Sequence, residues 1–364
     1  MQLQFFPSRT VTLYTGRMFL VRSFAVLAGL VLILMTLDLL GESDRILAYP
    51  GNGEAQLWTY AGLRVPQIIS TFLKFSVLLG TLITLTTLNQ NSEVISMKAS
   101  GLSAHQILAP LIVAGLLVAG ISFAFNERIV ARSTATLTAW QKAEYGPMPK
   151  DSGVLSNLWV RDDEDLIRAG RALGRGPQTR LEDVTLYDRV GNTLSQIIQA
   201  KEGRYIGGAW HLTDASRFDV GTGTETKLGN TVIAKGVTPD RFTLSNVDPD
   251  GLSFVQLKQA IDDLKAAGRP TRTLEANLWH KLSGPLSAVL MPLLGAVAGF
   301  GLARSGKLFV RAVIGMALGF TYFVADNFAL AMGNLGAYPP VLAAWAPFLL
   351  FLLIGETVLI RTEE

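Results

Sequence analysis

Apolar residues along this chain gather into long blocks, and the blocks come in two groups of three. The first group lies at about Met18–Leu39, Val65–Leu88 and Ile107–Phe125, the second at about Leu282–Leu302, Phe309–Met332 and Val341–Ile360. Each block is close to the ~20 residues a helix needs to cross ~30 Å of hydrocarbon. The pattern therefore predicts six transmembrane helices. The first block is too long for a cleavable leader and lacks an Ala-x-Ala exit, so it is expected to stay as a span.

Between the two groups the period shortens. After Asn126–Arg132 a polar helix is expected to about Tyr145, stopped by Gly146-Pro147-Met148-Pro149. Strand-length runs follow. Asn157–Val160 and Leu166–Ala169 flank Asp162–Asp165, and Val184–Asp188 and Thr193–Ile198 flank Arg189–Asn192. Arg204–Ile206 and Ala209–Leu212 flank Gly207-Gly208, a pair that takes positive φ cheaply in a two-residue hairpin turn. Many short strands predict an antiparallel sandwich or roll. Val247–Leu252 then reads as a turn, and Ser253 with Gln256 as a capping box that opens a helix. Phe254, Leu257, Ile261 and Leu264 share one face of it, and Gly268 and Pro270 end it. The expected fold is an α-helical membrane protein with an inserted all-β domain. Residues 1–125 would hold helices one to three, 126–277 the β domain with flanking helices, and 278–364 helices four to six.

Basic residues give the spans a direction. Arg9, Arg17 and Arg22 flank the start of the first span, Lys98 lies between the second and third, Arg304, Lys307 and Arg311 lie between the fourth and fifth, and Arg361 follows the sixth. Cytoplasmic loops attract positive charge, so both termini and the 91–103 loop are expected in the cytoplasm and the β domain outside, in a bacterium the periplasm. Charged residues make up 17% of the chain, below the roughly 25% of soluble domains. The formal charge of +3, with no basic groove or nucleic-acid motif, gives no reason to expect a nucleic-acid partner. There is no cysteine, so disulfides, thiol nucleophiles and cysteine metal sites are excluded. His105, His211 and His280 lie far apart on different elements, which argues for neither a metal site nor a catalytic triad. The acidic run Asp162–Asp165 lacks the spacing of a calcium loop. No phosphate-cradling glycine loop occurs, so the chain is not expected to bind ATP or to be an enzyme by itself.

The loop Asn91–Ser103 is polar at its start, helix-forming in its middle and closed by Gly101. It reads as a short helix lying across the mouth of two spans. Ionisable residues at membrane depth are costly and point to function. Asp38 ends the first span, Lys74 sits about ten residues into the second (roughly 15 Å along a helix), and Asp326 lies late in the fifth. Lys74 is expected to face an internal cavity and to pair with Asp38, with Asp326 or with a substrate anion. Gly284-Pro285 and Met291-Pro292 suggest a kinked fourth helix, and Gly315 with Gly319 allows close helix approach.

Several of these stretches carry a resemblance. Glu93 with Met97, Lys98, Ala99, Ser100, Gly101 and Ser103 is similar to the coupling-helix signature of the LptF/LptG family of lipopolysaccharide export permeases. Tyr14-Thr15-Gly16-Arg17 resembles the run that leads into the family's first span. Leu158–Asp162, Leu166–Arg168, Leu181–Tyr187, Trp210-His211-Leu212 and Asp248–Ser253 resemble the LptG branch more than the LptF branch.

The resemblance, which covers nearly the whole chain, implies one half of the channel of an ATP-driven lipid extractor in the bacterial inner membrane. It implies LptF as the other half and an LptB ATPase dimer, using ATP and magnesium, docked below on Glu93, Met97, Lys98, Ser100 and Gly101. It also implies a periplasmic β-jellyroll that passes lipopolysaccharide to the related rolls of LptC and LptA. Such a substrate needs an apolar wall and a basic rim. Arg45, Arg64, Arg128, Arg132 and Lys281, all expected near the outer face, are candidates for its phosphates. Lys74 and Asp38 depart from the family pattern, in which the first position is apolar or proline and the second a lysine. The alternatives are the sister permease LptF, a membrane-anchored scaffold or sensor, and a proton-coupled transporter; no inverted repeat supports the last.

Overall fold

A computed structural model describes residues 7–147, 155–162, 164–173, 178–190, 193–233, 237–239, 242, 248–266, 270–299 and 308–361. The chain divides into two compact units. One contains residues 1–149, 249–258 and 271–364, the other residues 150–248 and 259–270.

The first unit is helical. Its elements are α1 (Arg9–Ala48), α2 (Glu54–Gln90), α3 (Glu93–Ala99), α4 (Ala104–Phe125), α5 (Ala131–Lys142), α7 (Arg272–Gly299), α8 (Leu308–Asn334) and α9 (Pro340–Arg361). Among the described residues five helical stretches are long and apolar enough to cross a membrane: Arg9–Ala48, Glu54–Gln90, Ala104–Lys142, Val313–Asn334 and Pro340–Arg361. The remaining expected span falls on α7, which opens with Arg272, Glu275, His280 and Lys281; its expected end at 300–302 lies outside the described residues, as do Arg304 and Lys307. The third span, expected to end at Phe125, does not end its helix there. One π-helical turn, Asn126–Val130, carries α4 directly into α5. Large apolar side chains of α2, α4 and α7, among them Leu82, Leu85, Leu108, Leu111, Met291 and Leu294, form the main core. Glycines set how closely the helices approach. A Cβ at Gly80 would lie 2.7 Å from the Ser23 Cα of α1, and one at Gly319 would lie 2.1 Å from the Leu78 side chain. Gly319 is thus fitted to α2, a use its spacing from Gly315 did not reveal.

A smaller cluster joins α1, α2 and α5: Ile46, Tyr60, Leu137, Trp140 and Tyr145. The Tyr145 hydroxyl donates to Glu42 at 2.8 Å. Burial, and then that carboxylate, raise the Tyr145 pKa above its ordinary value. Asn52 donates to the carbonyls of Ile46 and Tyr145 at 2.8 and 2.9 Å.

The second unit holds one six-stranded antiparallel sheet in sequence order. Its strands are β1 (Leu155–Asp162), β2 (Asp165–Leu173), β3 (Arg180–Val190), β4 (Thr193–Ile206), β5 (Ala209–Asp219) and β6 (Thr224–Ile233). The described strands form one antiparallel meander. Thr193–Ile198 and Arg204–Ile206, expected as separate runs, belong to the single strand β4. Its centre hides the alternation. Gly203 is buried where a Cβ would meet the Leu212 side chain at 3.1 Å, and Glu202 lies between Arg180 and Arg204. The Gly207-Gly208 turn forms as expected, with φ of 62° and 87°. Trp210 anchors the core, donating to the Val237 carbonyl at 2.8 Å and meeting Phe242 edge-on at 5.2 Å. Asp163, Met148, Pro149, Gly191 and Asn192 of the expected turns lie outside the described residues.

The last helix, α6 (Phe254–Ala266), starts in the first unit and ends in the second. Its capping box is present: Ser253 N donates to Gln256 Oε1 at 3.0 Å, and Gln256 N to Ser253 Oγ at 3.2 Å. Leu257, Ile261 and Leu264 are buried, as their spacing predicts. The sequence did not disclose a second cap, in which Phe254 N donates to Glu127 Oε2 at 2.6 Å. Gly268 lies outside the described residues.

Candidate functional site

The candidate site is a set of polar groups along α2 and the loop that follows it. At the N-terminal end, Tyr60, Arg64, Gln67, Ser70 and Lys74 follow one another at helical spacing, so they form a polar stripe on one side of an apolar helix. Each finds a partner on another element. Asp38 of α1 accepts from the Tyr60 hydroxyl at 2.6 Å and takes the Arg64 guanidinium in a fork, Nε to Oδ2 and Nη2 to Oδ1, both at 3.0 Å. Bidentate charged contacts of this kind are the strong ones. Gln67 donates to Thr134 Oγ1 at 3.2 Å and Ser70 to Asn126 Oδ1 at 2.6 Å.

Lys74 pairs with Asp326 of α8, Nζ to Oδ2 at 3.0 Å, and not with Asp38. His280 of α7 reaches the same oxygen, Nε2 to Oδ2 at 3.2 Å. The Asp326 side chain is 2% exposed, Lys74 19% and His280 24%. A carboxylate so buried requires such partners. His280 was missed from sequence because it lies 46 residues from Asp326 and 206 from Lys74.

The five basic candidates do not converge. Arg45 is 74% exposed beside Glu42, and Arg64 is held by Asp38. Arg128 and Arg132 are exposed on the π turn and α5, and Lys281 is half-buried and engaged.

At the other end, α2 runs into α3, seven residues long. Ser92 enters it in left-handed geometry at φ 61°, and Gly101 leaves it at φ 89°. Gly101 N donates to the Lys98 carbonyl at 3.0 Å and Leu102 N to that of Met97 at 3.2 Å. This pair of hydrogen bonds is a Schellman cap, which satisfies the last carbonyls of the helix. Met97 and Leu102 pack on the main core, and Val94 is buried in it. Ser103 then caps α4, accepting from Gln106 N at 3.2 Å. One face of α3 is therefore fixed, while Ile95, Ser96, Ser100 and Gly101 are exposed. Glu93 is half-buried and held loosely, accepting from Tyr14 Oη and Asn91 Nδ2 at 3.3 Å each. Beside it on α1, Leu13, Tyr14, Arg17, Met18, Val21 and Arg22 line an open groove of about 500 Å³.

Comparison with known proteins places the chain in a family. The sequence profile of the family described as lipopolysaccharide export system permease LptF/LptG matches residues 13–361. The chain belongs to the LptF/LptG family. It is 27% identical to the lipopolysaccharide export system permease protein LptG of Escherichia coli strain K12, over 83% of this chain and 84% of that one. The figures are the same for LptG of Escherichia coli O6:H1. With LptG of Haemophilus influenzae the identity is 25%, over 98% of this chain and 99% of that one. The apolar helices and membership of LptF/LptG make this a multi-pass inner-membrane protein.

Proposed function

We propose that the chain is an LptG-type permease subunit that takes lipopolysaccharide out of the inner membrane. The observation that carries the reading is α3: a capped, seven-residue helix between α2 and α4, with Glu93 half-buried at its start. A loop that only joined two spans would need no such rigidity. The relatives named LptG favour this branch over LptF.

In this reading α7 is the sixth span, both termini and α3 face the cytoplasm, and the sheet unit is periplasmic, as the positions of Lys and Arg indicate. An ATPase dimer of the LptB type binds ATP and magnesium and presses on Glu93, Met97, Lys98, Ser100 and Gly101. The chain pairs with LptF, and its sheet, folded as a jellyroll-like trough, hands lipid to LptC and LptA by strand-edge contact. Asp38, Lys74 and Asp326 belong to the cavity wall. Arg45, Arg128, Arg132 and Lys281 supply the rim for lipid phosphates, with Arg64 reaching them only by giving up Asp38.

The test is reconstitution of the purified complex in proteoliposomes with Glu93→Ala. ATP hydrolysis without lipid release is the expected result; normal coupled release would contradict the reading.

A further inference from the structure

α2 meets α8 along a short stripe. Leu78 lies against Gly319, Phe75 meets Phe323 at 5.0 Å between ring centroids, and Lys74 pairs with Asp326. Two apolar contacts thus end in one ionic contact. Asp326 is unusual in that its two donors, Lys74 from α2 and His280 from α7, share the single oxygen Oδ2. They differ in reach. The lysine has a long flexible stem and a fixed charge. The imidazole is short, sits on α7, and can take a proton when a neighbouring carboxylate calls for one. The seam around them is polar. Tyr322, one turn before Asp326, is buried, and Ser283 Oγ, one turn after His280, is buried without a hydrogen-bond partner among the described residues.

We propose that Lys74, Asp326 and His280 form an ionic clasp between α2 and the α7–α8 pair, in which His280 is the positioning residue. In the closed arrangement neutral His280 donates to Oδ2 and fixes the carboxylate where Lys74 can grip it. The charges then balance as one ammonium against one carboxylate. When α8 moves away from α2, Lys74 leaves, and His280 takes a proton and keeps the buried carboxylate paired. One proton enters the seam on opening and leaves on closing. Without such a reserve partner, release of Lys74 would strand a buried charge. The titratable groups facing Asp326 are Lys74 from α2, His280 from α7 and Tyr322 from its own helix. Arg64 and Asp38, further along the stripe, are matched to each other, and Lys281, next to His280, has an interaction of its own.

The experiment measures thermal unfolding of the full chain in detergent at about pH 6 and about pH 8, spanning the histidine range. Lys74→Met removes the fixed charge. It is expected to lower Tm by roughly 5 °C at the higher pH and to recover at the lower, because imidazolium supplies the missing charge. The sign follows, since a histidine that gains a partner stabilises below its pKa and ceases to as the pH rises through it. Lys74→Met/His280→Gln is expected to stay destabilised at both values. Lys74→Met/Asp326→Asn, with no buried charge left, is expected to be stable at both. A flat profile for Lys74→Met, or recovery without His280, overturns the proposal.

The role in opening rests on the permease reading, and a second arm tests it separately. In the reconstituted complex, His280→Gln is expected to slow lipid release about tenfold and to flatten its pH profile. If the unfolding data behave as expected but release keeps the wild-type profile, the clasp is structural only and the positioning role is overturned.

Discussion

The two ends of α2 are built on opposite plans. At the N-terminal end every group of the polar stripe is taken. Asp38 binds Tyr60 and one edge of Arg64, and Gln67, Ser70 and Lys74 each hold a different element. At the C-terminal end the backbone is fixed as firmly, through the Schellman cap at Gly101 and the buried Val94, but the carboxylate is not. Glu93 has two contacts of 3.3 Å and partial solvent access. Satisfied charges lock helices together, whereas a fixed backbone that presents a weakly held charge is suited to a partner. The contrast separates residues that hold the membrane unit together from residues that are pushed.

If the contrast is right, Asp38→Ala has the largest effect on stability. It leaves the Arg64 guanidinium unpaired at the α1–α2 contact and is expected to cost about 2–3 kcal/mol, below the range for fully buried pairs because Arg64 is 36% exposed. Thermal unfolding in detergent measures it, and Asp38→Ala/Arg64→Leu is expected to regain part of the loss. Glu93→Ala comes next and should leave unfolding unchanged. Its cost falls on coupled lipid release, by about thirtyfold, the factor for a hot spot of ~2 kcal/mol. Tyr14→Phe removes only one long hydrogen bond to Glu93. A change of about 0.5–1 kcal/mol, roughly two- to fivefold in release at saturating ATP, is expected. Arg45→Ala is smallest, within ~0.5 kcal/mol in unfolding, since its pair with Glu42 is 74% exposed on the arginine side. An Arg45 variant that lost as much stability as the Asp38 variant would erase the distinction.

Local signals in the sequence were read well where one residue decides the backbone. Gly101 closes α3, Gly207-Gly208 makes the β4–β5 turn, and Ser253 with Gln256 opens α6. Failures occurred where a local signal was interrupted for a distant reason. Asn126 and Glu127 look like the end of a span, yet the helix continues through them, because Asn126 is held by Ser70 and Glu127 caps α6. Gly203 looks like a strand break, but it makes room for Leu212. The ionic site was legible only in half. Lys74, Asp326 and Asp38 stood out as charges in apolar blocks, but which carboxylate meets which cation depends on helix packing over up to 252 residues of separation. His280 gave no signal because its partners lie 46 and 206 residues away in the chain.

The account depends most on where α3 faces and what it touches. The chain contains no cysteine, so Ser100→Cys, on the exposed side of α3, introduces a single thiol as a unique label. In cells expressing the whole export complex, a short bifunctional cross-linker attached to that thiol is expected to join the chain to the cytoplasmic ATPase subunit, with a yield that changes when ATP is trapped. Reaction of the same thiol with a maleimide confined to the periplasm, and no cross-link to the ATPase, would contradict the account.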